Sequence, residues 1–217
     1  MAPIIRGNSL YTIVDGPSWT QAEAESISLG GHLASINSGE ENTFIASSFS
    51  GANLSHYGGA IDQDIYWIGA TKSSGLWKWS DGSPLQYSHW GPIEPYEDSG
   101  TADRSEMIME GYSFGDQNWW GRTAGNWNNN TDALSPNGRY GIAEIPLTLS
   151  ITQSAQPKEG AGIFTTSINL SAGTQISGNL AESAMVCWKI SGITQDDLTS
   201  GVLTGSGTIT NGKVDLQ

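Results

Sequence analysis

The sequence predicts an α+β domain with two helices, small antiparallel sheets and a long loop, followed by an all-β sandwich-like module. Three observations predict it. Two helix-start signals stand close together near the N-terminus, Ser18-Trp19-Thr20-Gln21 and Ser38-Gly39-Glu40-Glu41. From Tyr66 onward the pattern becomes strand-like and rich in turn residues. Near Pro146 the composition shifts: residues 9–146 hold all three histidines and all but one of the nine tryptophans, whereas 147–217 is Thr, Ser and Gly broken by short apolar alternations. The expected domains are therefore 1–146 and 147–217.

Asn8 to Val14 has the β-branched and aromatic content of a first strand. In the first capping box the Ser18 hydroxyl can take an orphan amide while Gln21 reaches back, which starts a helix from Trp19 to Leu29 that Gly30-Gly31 ends. The second box opens a helix running to about Phe49. Tyr66-Trp67-Ile68-Gly69-Ala70 and Leu76-Trp77-Lys78-Trp79 read as strands, and Asp81-Gly82 between apolar alternations is a hairpin signal. From Trp90 to Asn130 regular periodicity fades into Gly, Asn, acids and Trp. A loop of that length in a compact domain is usually functional, and its tryptophans argue against disorder. Beyond Pro146, strand-like alternations fall at Leu149-Ser150-Ile151, Gly162 to Leu170, Ala184 to Ile190 and Val202 to Thr210.

The formal charge of -13 opposes binding to nucleic acid and to anionic membranes. No stretch approaches the roughly 20 apolar residues that span a bilayer, so no membrane insertion is expected. Met1-Ala2-Pro3 opens without a basic and apolar leader, so export would need another route or a removed segment. The single cysteine, Cys187, cannot close an internal disulfide, and within Met185-Val186-Cys187-Trp188 it reads as an inert core thiol. His32, His56 and His89 lack metal-ligand spacing, and no nucleophile elbow or phosphate-cradling loop is present. Glu94 and Glu97 could in principle form a carboxylate pair, but the expectation is a non-enzyme.

The order of motifs over about 138 residues resembles a C-type lectin-like domain. It comprises a strand, a helix, Gly30-Gly31-His32-Leu33-Ala34-Ser35-Ile36, Ser38-Gly39-Glu40-Glu41-Asn42, a second helix and Tyr66-Trp67-Ile68-Gly69-Ala70. Trp77-Lys78-Trp79-Ser80-Asp81-Gly82, Trp90 with Glu94-Pro95, Asn126-Trp127-Asn128-Asn129 and Tyr140-Gly141-Ile142-Ala143-Glu144 complete it. The resemblance implies that the first and last strands pair at the base and that Trp67-Ile68-Gly69 is a core strand. With no cysteine before position 187, the chain resembles the cysteine-free bacterial and phage members of the family.

That resemblance also implies a calcium site in the long loop, built in sugar-binding members from a Glu-Pro-Asn motif, a following acid and a Trp-Asn-Asp motif. Glu94-Pro95 matches, with the peptide between them expected in the cis form, while Tyr96 stands where Asn is usual. Trp127-Asn128 matches, while Asn129 replaces the Asp. The candidate metal ligands are Glu94, Glu97, Asp103, Glu106, Asn128 and Asn129, with calcium the candidate cofactor and a hydrated acidic loop, Asp98 included, the alternative. The candidate ligand-binding residues are Glu94, Tyr96, Trp119, Trp120, Asn128 and Asn129. Aromatic faces can stack on sugar rings, and Tyr112 lies in the same loop, although such rings can also pack the loop's own small core.

Residues from Glu159 through Gly207 resemble the Calx-β-type, immunoglobulin-like repeats of large surface proteins, short by one or two strands at the C-terminus. An uncovered sheet edge invites another strand, so this module is expected to assemble with another chain or as a homo-oligomer. The combined expectation is a recognition module on a surface adhesin or receptor-binding appendage. It binds carbohydrate through the long loop with calcium assistance, takes a glycan or cell-surface receptor as partner, and sits outside the cell, at a cell surface or on a virion. The alternative is calcium-independent protein binding, or a structural part of a phage virion.

Overall fold

The computed structural model describes residues 3–51, 65–96, 101–109, 123–132, 140–153, 166–172, 185–189, 196, 204–208 and 213–216. The chain divides into two compact units, Met1–Ile145 and Pro146–Gln217.

In the first unit, β1 (Ile4–Arg6) pairs antiparallel with β2 (Ser9–Asp15). The turn between them uses Gly7 at φ 60°, and a three-residue strand is too short to register as a period in the sequence. Helix α1 (Trp19–Ser28) is capped by Ser18, whose Oγ accepts the Gln21 amide at 3.3 Å. Its first turn receives a second cap from far away, because Asp132 accepts both the amide and the hydroxyl of Thr20. The helix ends where Gly31 donates its amide to Ser26 O at 3.0 Å. Helix α2 (Gly39–Phe49) starts at Ser38, whose Oγ accepts the Glu41 amide at 3.1 Å, and the Glu41 carboxylate reaches back to the Asn37 amide at 2.7 Å.

Between the helices lies β3 (His32–Leu33), which pairs with β8 (Tyr140–Gln153). The chain approaches β8 so closely here that a Cβ on Gly31 would sit 2.1 Å from Glu144 O. The strand path is β1-β2-β8-β4-β6-β7, with β4 (Ile65–Ser73), β6 (Arg104–Ile108) and β7 (Trp127–Asn130), and β5 (Leu76–Trp79) pairs with β4. Strands β2 and β8 are thus neighbours, closing the base of the domain. The sheet is mixed rather than purely antiparallel, since β4 runs parallel to β8 through Tyr66–Tyr140 and Trp67–Gly141. Two helices and this mixed sheet make the C-type lectin-like α+β fold.

Two glycine turns follow β4. Ser74 and Gly75, at φ 52° and 81°, form the tight turn between β4 and β5. Asp81-Gly82 closes a second reversal that brings Lys78 opposite Pro84. The core gathers Trp67, Trp79, Trp127, Tyr11, Tyr66 and Phe49, all fully buried. The indole N–H of Trp67 donates to Gly16 O at 3.0 Å and that of Trp19 to Ile68 O at 2.8 Å, so these aromatics carry hydrogen bonds as well as apolar area.

In the second unit, Leu147 to Gln153 of β8 pair antiparallel with β9 (Thr166–Ala172), which also pairs with β12 (Lys213–Leu216). Strands β10 (Met185–Lys189) and β11 (Thr204–Thr208) pair antiparallel, Cys187 lying opposite Ser206.

Candidate ligand-binding site

The site begins with the alternation of β7. Trp127 and Asn129 point inward and are buried, while Asn128 and Asn130 point to the other face. Strand β6 pairs with it in register, Ser105 opposite Asn129 and Glu106 opposite Asn128. The two asparagines of the Trp-Asn-Asn motif therefore serve different faces of one strand.

On the inward side, the segment from His89 to Tyr96 arches over β7 and is anchored at both ends. Its first end is held by backbone bonds: Trp127 N donates to His89 O at 2.9 Å, and Gly91 N to Trp127 O at 2.8 Å. Glu94 N then donates to Gly91 O at 3.0 Å, turning the chain with Ile93 at φ 65°, and the Glu94-Pro95 peptide is cis. The second end is held by a side chain. Asn129 Oδ1 accepts the Tyr96 amide at 2.8 Å, while its Nδ2 donates to Tyr96 O at 2.9 Å and to Ala102 O at 3.0 Å. The Tyr96 amide also lies 3.0 Å from Glu94 Oε2. Because both polar groups of its backbone are engaged, Tyr96 can leave its ring in solvent. It is 55% exposed, and Ile93 is 59% exposed.

An aromatic bed supports the arch. Trp90 meets Trp127 edge-on at 5.7 Å and Trp77 at 4.8 Å, while Trp79 and Tyr87 approach Trp127 at 5.5 and 5.8 Å. The Trp127 indole N–H donates to Asn42 Oδ1 at 2.7 Å, and Asn42 Nδ2 donates to Gly125 O at 3.0 Å, tying the bed to α2.

On the opposite face of β7, Glu106 is 1% exposed. Its carboxylate accepts the Asn128 amide at 2.6 Å and that of Asn130 at 3.3 Å. Asp103 forms an ion pair with Arg104 at 3.0 Å, and its backbone carbonyl accepts the amide of Lys72 at 2.8 Å.

The sequence-predicted set is therefore split. Glu94, Tyr96 and Asn129 come together in the arch, Asn128 and Glu106 pair on the other face, and Asp103 is bound to Arg104. Glu97, Trp119 and Trp120, with Asp98 and Tyr112, lie outside the described residues. Calcium asks for six to eight converging oxygens. Among the described residues, the amide group of Asn129 is committed to two carbonyls, Glu106 is sealed under two asparagines, and no three His, Cys, Asp or Glu side chains gather. The described members of the donor set do not converge on one point as calcium's oxygens would.

Sequence reasoning missed Asn42, Asn130 and Asp132. Asn42 carried a signal of a kind, since a polar residue stands on the inward side of α2, next to Ile45 and Ala46.

The sequence model of the lectin C-type domain matches residues 15–135, more than half of the chain. The chain belongs to the C-type lectin domain family. It is similar to the type-2 ice-structuring protein of Brachyopsis segaliensis, 38% identical over 87 residues that cover 39% of this chain and 44% of that protein. The type-2 ice-structuring protein of Hemitripterus americanus is 35% identical over 40% of this chain and 46% of its own length. Asialoglycoprotein receptor 2 of Homo sapiens is 30% identical over 49% and 32%. The chain thus spans less than half the length of these relatives. Among solved structures, the herring type II antifreeze protein aligns at a TM-score of 0.49 with 22% identity, covering 67% of this chain and 97% of that one. The SPL-1–GlcNAc complex aligns at 0.49 with 21% identity, covering 66% and 91%. This lectin-family domain has no helix, among the described residues, long and apolar enough to cross a membrane.

Proposed function

We propose that this lectin-family domain is a non-catalytic carbohydrate-recognition module whose ligand surface is the arch from Gly91 to Tyr96, working without a resident calcium ion. The observation that carries the reading is the Tyr96 geometry: a backbone locked on both sides by Asn129 and a ring displayed to solvent. An exposed ring on a fixed backbone is a platform on which the apolar face of a sugar stacks. The similarity to asialoglycoprotein receptor 2 supports a glycan or cell-surface receptor as partner, in an extracellular setting. In the same reading the second unit is an immunoglobulin-like stalk of an adhesin or appendage that assembles with another chain.

A glycan array probed with and without chelator tests the proposal. The expected result is binding to a defined set of glycans that chelator leaves unchanged. Loss of binding in chelator would overturn the calcium-free reading, and no binding to any glycan would overturn the sugar. A second reading, binding to ice, rests on the identity with the two ice-structuring proteins and is tested by thermal hysteresis in the purified protein.

A further inference from the structure

We infer that the carboxamide of Asn129 takes the structural place of a cation in the loop, so that this residue positions the arch and at the same time relieves it of any need for metal. Two backbone carbonyls, those of Tyr96 and Ala102, converge on one point from either side of the loop. Carbonyl oxygens that converge repel one another unless something electropositive lies between them. That something here is the Nδ2 of Asn129, at 2.9 and 3.0 Å, with one hydrogen for each oxygen. These are amide hydrogen-bond lengths, whereas calcium draws its oxygens in to about 2.3–2.6 Å. The other end of the carboxamide accepts the Tyr96 amide at 2.8 Å, a bond that no cation could make.

Only a group with a donor at one end and an acceptor at the other satisfies all three partners. Asn129 is 8% exposed, so water does not readily substitute for it. An aspartate at this position would keep the bond to the Tyr96 amide and present a second oxygen to the two carbonyls. Three oxygens would then face one another around a vacant centre, with Glu94 nearby and accepting the same Tyr96 amide. That is the oxygen-rich arrangement that recruits a divalent cation. The inference rests on the calcium-free reading of the arch but not on what the arch binds, and its test reads stability, so it and the glycan reading fail separately.

The experiment is thermal unfolding of the full chain and of Asn129→Asp in chelator, in millimolar calcium and in millimolar magnesium. For the native chain the midpoint is expected to be the same in chelator and calcium, beyond any small general effect that magnesium reproduces. For Asn129→Asp the midpoint in chelator is expected to fall by about 2–4 °C or more, and calcium restores it while magnesium does not. A native midpoint that rises with calcium more than with magnesium would overturn the inference. So would an Asn129→Asp variant that stays equally destabilised in all three solutions. If that variant does not fold in chelator, purification in calcium decides: folded protein supports the inference, and aggregation in both solutions sinks it.

Discussion

The indole N–H of Trp127 donates to the side-chain oxygen of Asn42 at 2.7 Å, joining residues 85 apart in sequence. Asn42 returns a bond of 3.0 Å to Gly125 O, so one carboxamide fastens α2 to the strand that carries the arch. Asn42→Ala would leave a buried indole N–H and a buried carbonyl without partners. A loss of about 2–3 kcal/mol in urea denaturation is expected. A change within experimental error would show that Trp127 does not rely on this anchor.

At the base of the domain, Tyr11 Oη lies 2.6 Å from Glu41 Oε1 and 3.1 Å from Glu144 Oε1. The phenol has one proton to share between the two carboxylates, and the shorter contact makes Glu41 its main acceptor. Burial, and then the nearby charge of Glu41, push the Glu144 carboxyl above the ordinary range, against the pull of the bonds from Ser9, Ser35 and Tyr11. Burial and the charge of Glu144 push the Tyr11 phenol up as well, so it stays neutral. The folded state therefore holds the Glu144 proton more tightly than the unfolded chain, whose carboxyl titrates near 4.5. Stability from this group is complete below that value and is lost as pH rises through the higher folded value. Glu144→Gln imitates the neutral acid, so its amide can face Tyr11 while its oxygen keeps the Ser35 amide. The variant is expected to match the native chain in mild acid and to exceed it in stability at neutral pH. Parallel stability curves for the two proteins would refute this.

Removing the Tyr96 ring should separate binding from folding. Tyr96 is fixed by its backbone, so Tyr96→Ala keeps all the bonds to Asn129 and takes away only the exposed face. Glycan affinity is expected to fall about tenfold or more, in keeping with the loss of an aromatic platform, with the melting temperature unchanged. Undiminished affinity would place the ligand surface elsewhere.

Gly31 offers a packing test. A Cβ there would meet Glu144 O at 2.1 Å, a backbone atom held in the sheet that cannot move aside. Gly31→Ala is expected to cost about 3 kcal/mol or more. Gly7→Ala, at φ 60° with open space around it, is expected to cost only about 1–2 kcal/mol. Equal costs in chemical denaturation would mean that β3 and β8 are not packed as tightly as Gly31 requires.

Much of the first unit was legible because its signals are local. Ser18 and Ser38 announce their helices through bonds to amides three residues away, and the Trp67 strand declares itself by its own apolar run. The first turn of α1 shows where local reading stops. Ser18 is visible as a cap, but the second cap, Asp132, lies 112 residues downstream of Thr20 and carries no mark of that role. The parallel pairing of β4 with β8 was missed for the same reason, since it is created by how the chain returns.

The long loop divides the two kinds of knowledge most clearly. Residue identity alone showed that Glu94-Pro95 and Trp127-Asn128 belong to a lectin pattern and that Tyr96 and Asn129 depart from it. It could not show what the departures do, because Asn129 serves as a metal ligand or as a hydrogen-bonded clasp depending on what stands 33 residues away. Tertiary structure shows which bonds Asn129 makes. The two-residue period of β7 sends Asn128 to Glu106 and Asn129 to the Tyr96 backbone, so neighbouring residues of one motif hold different partners.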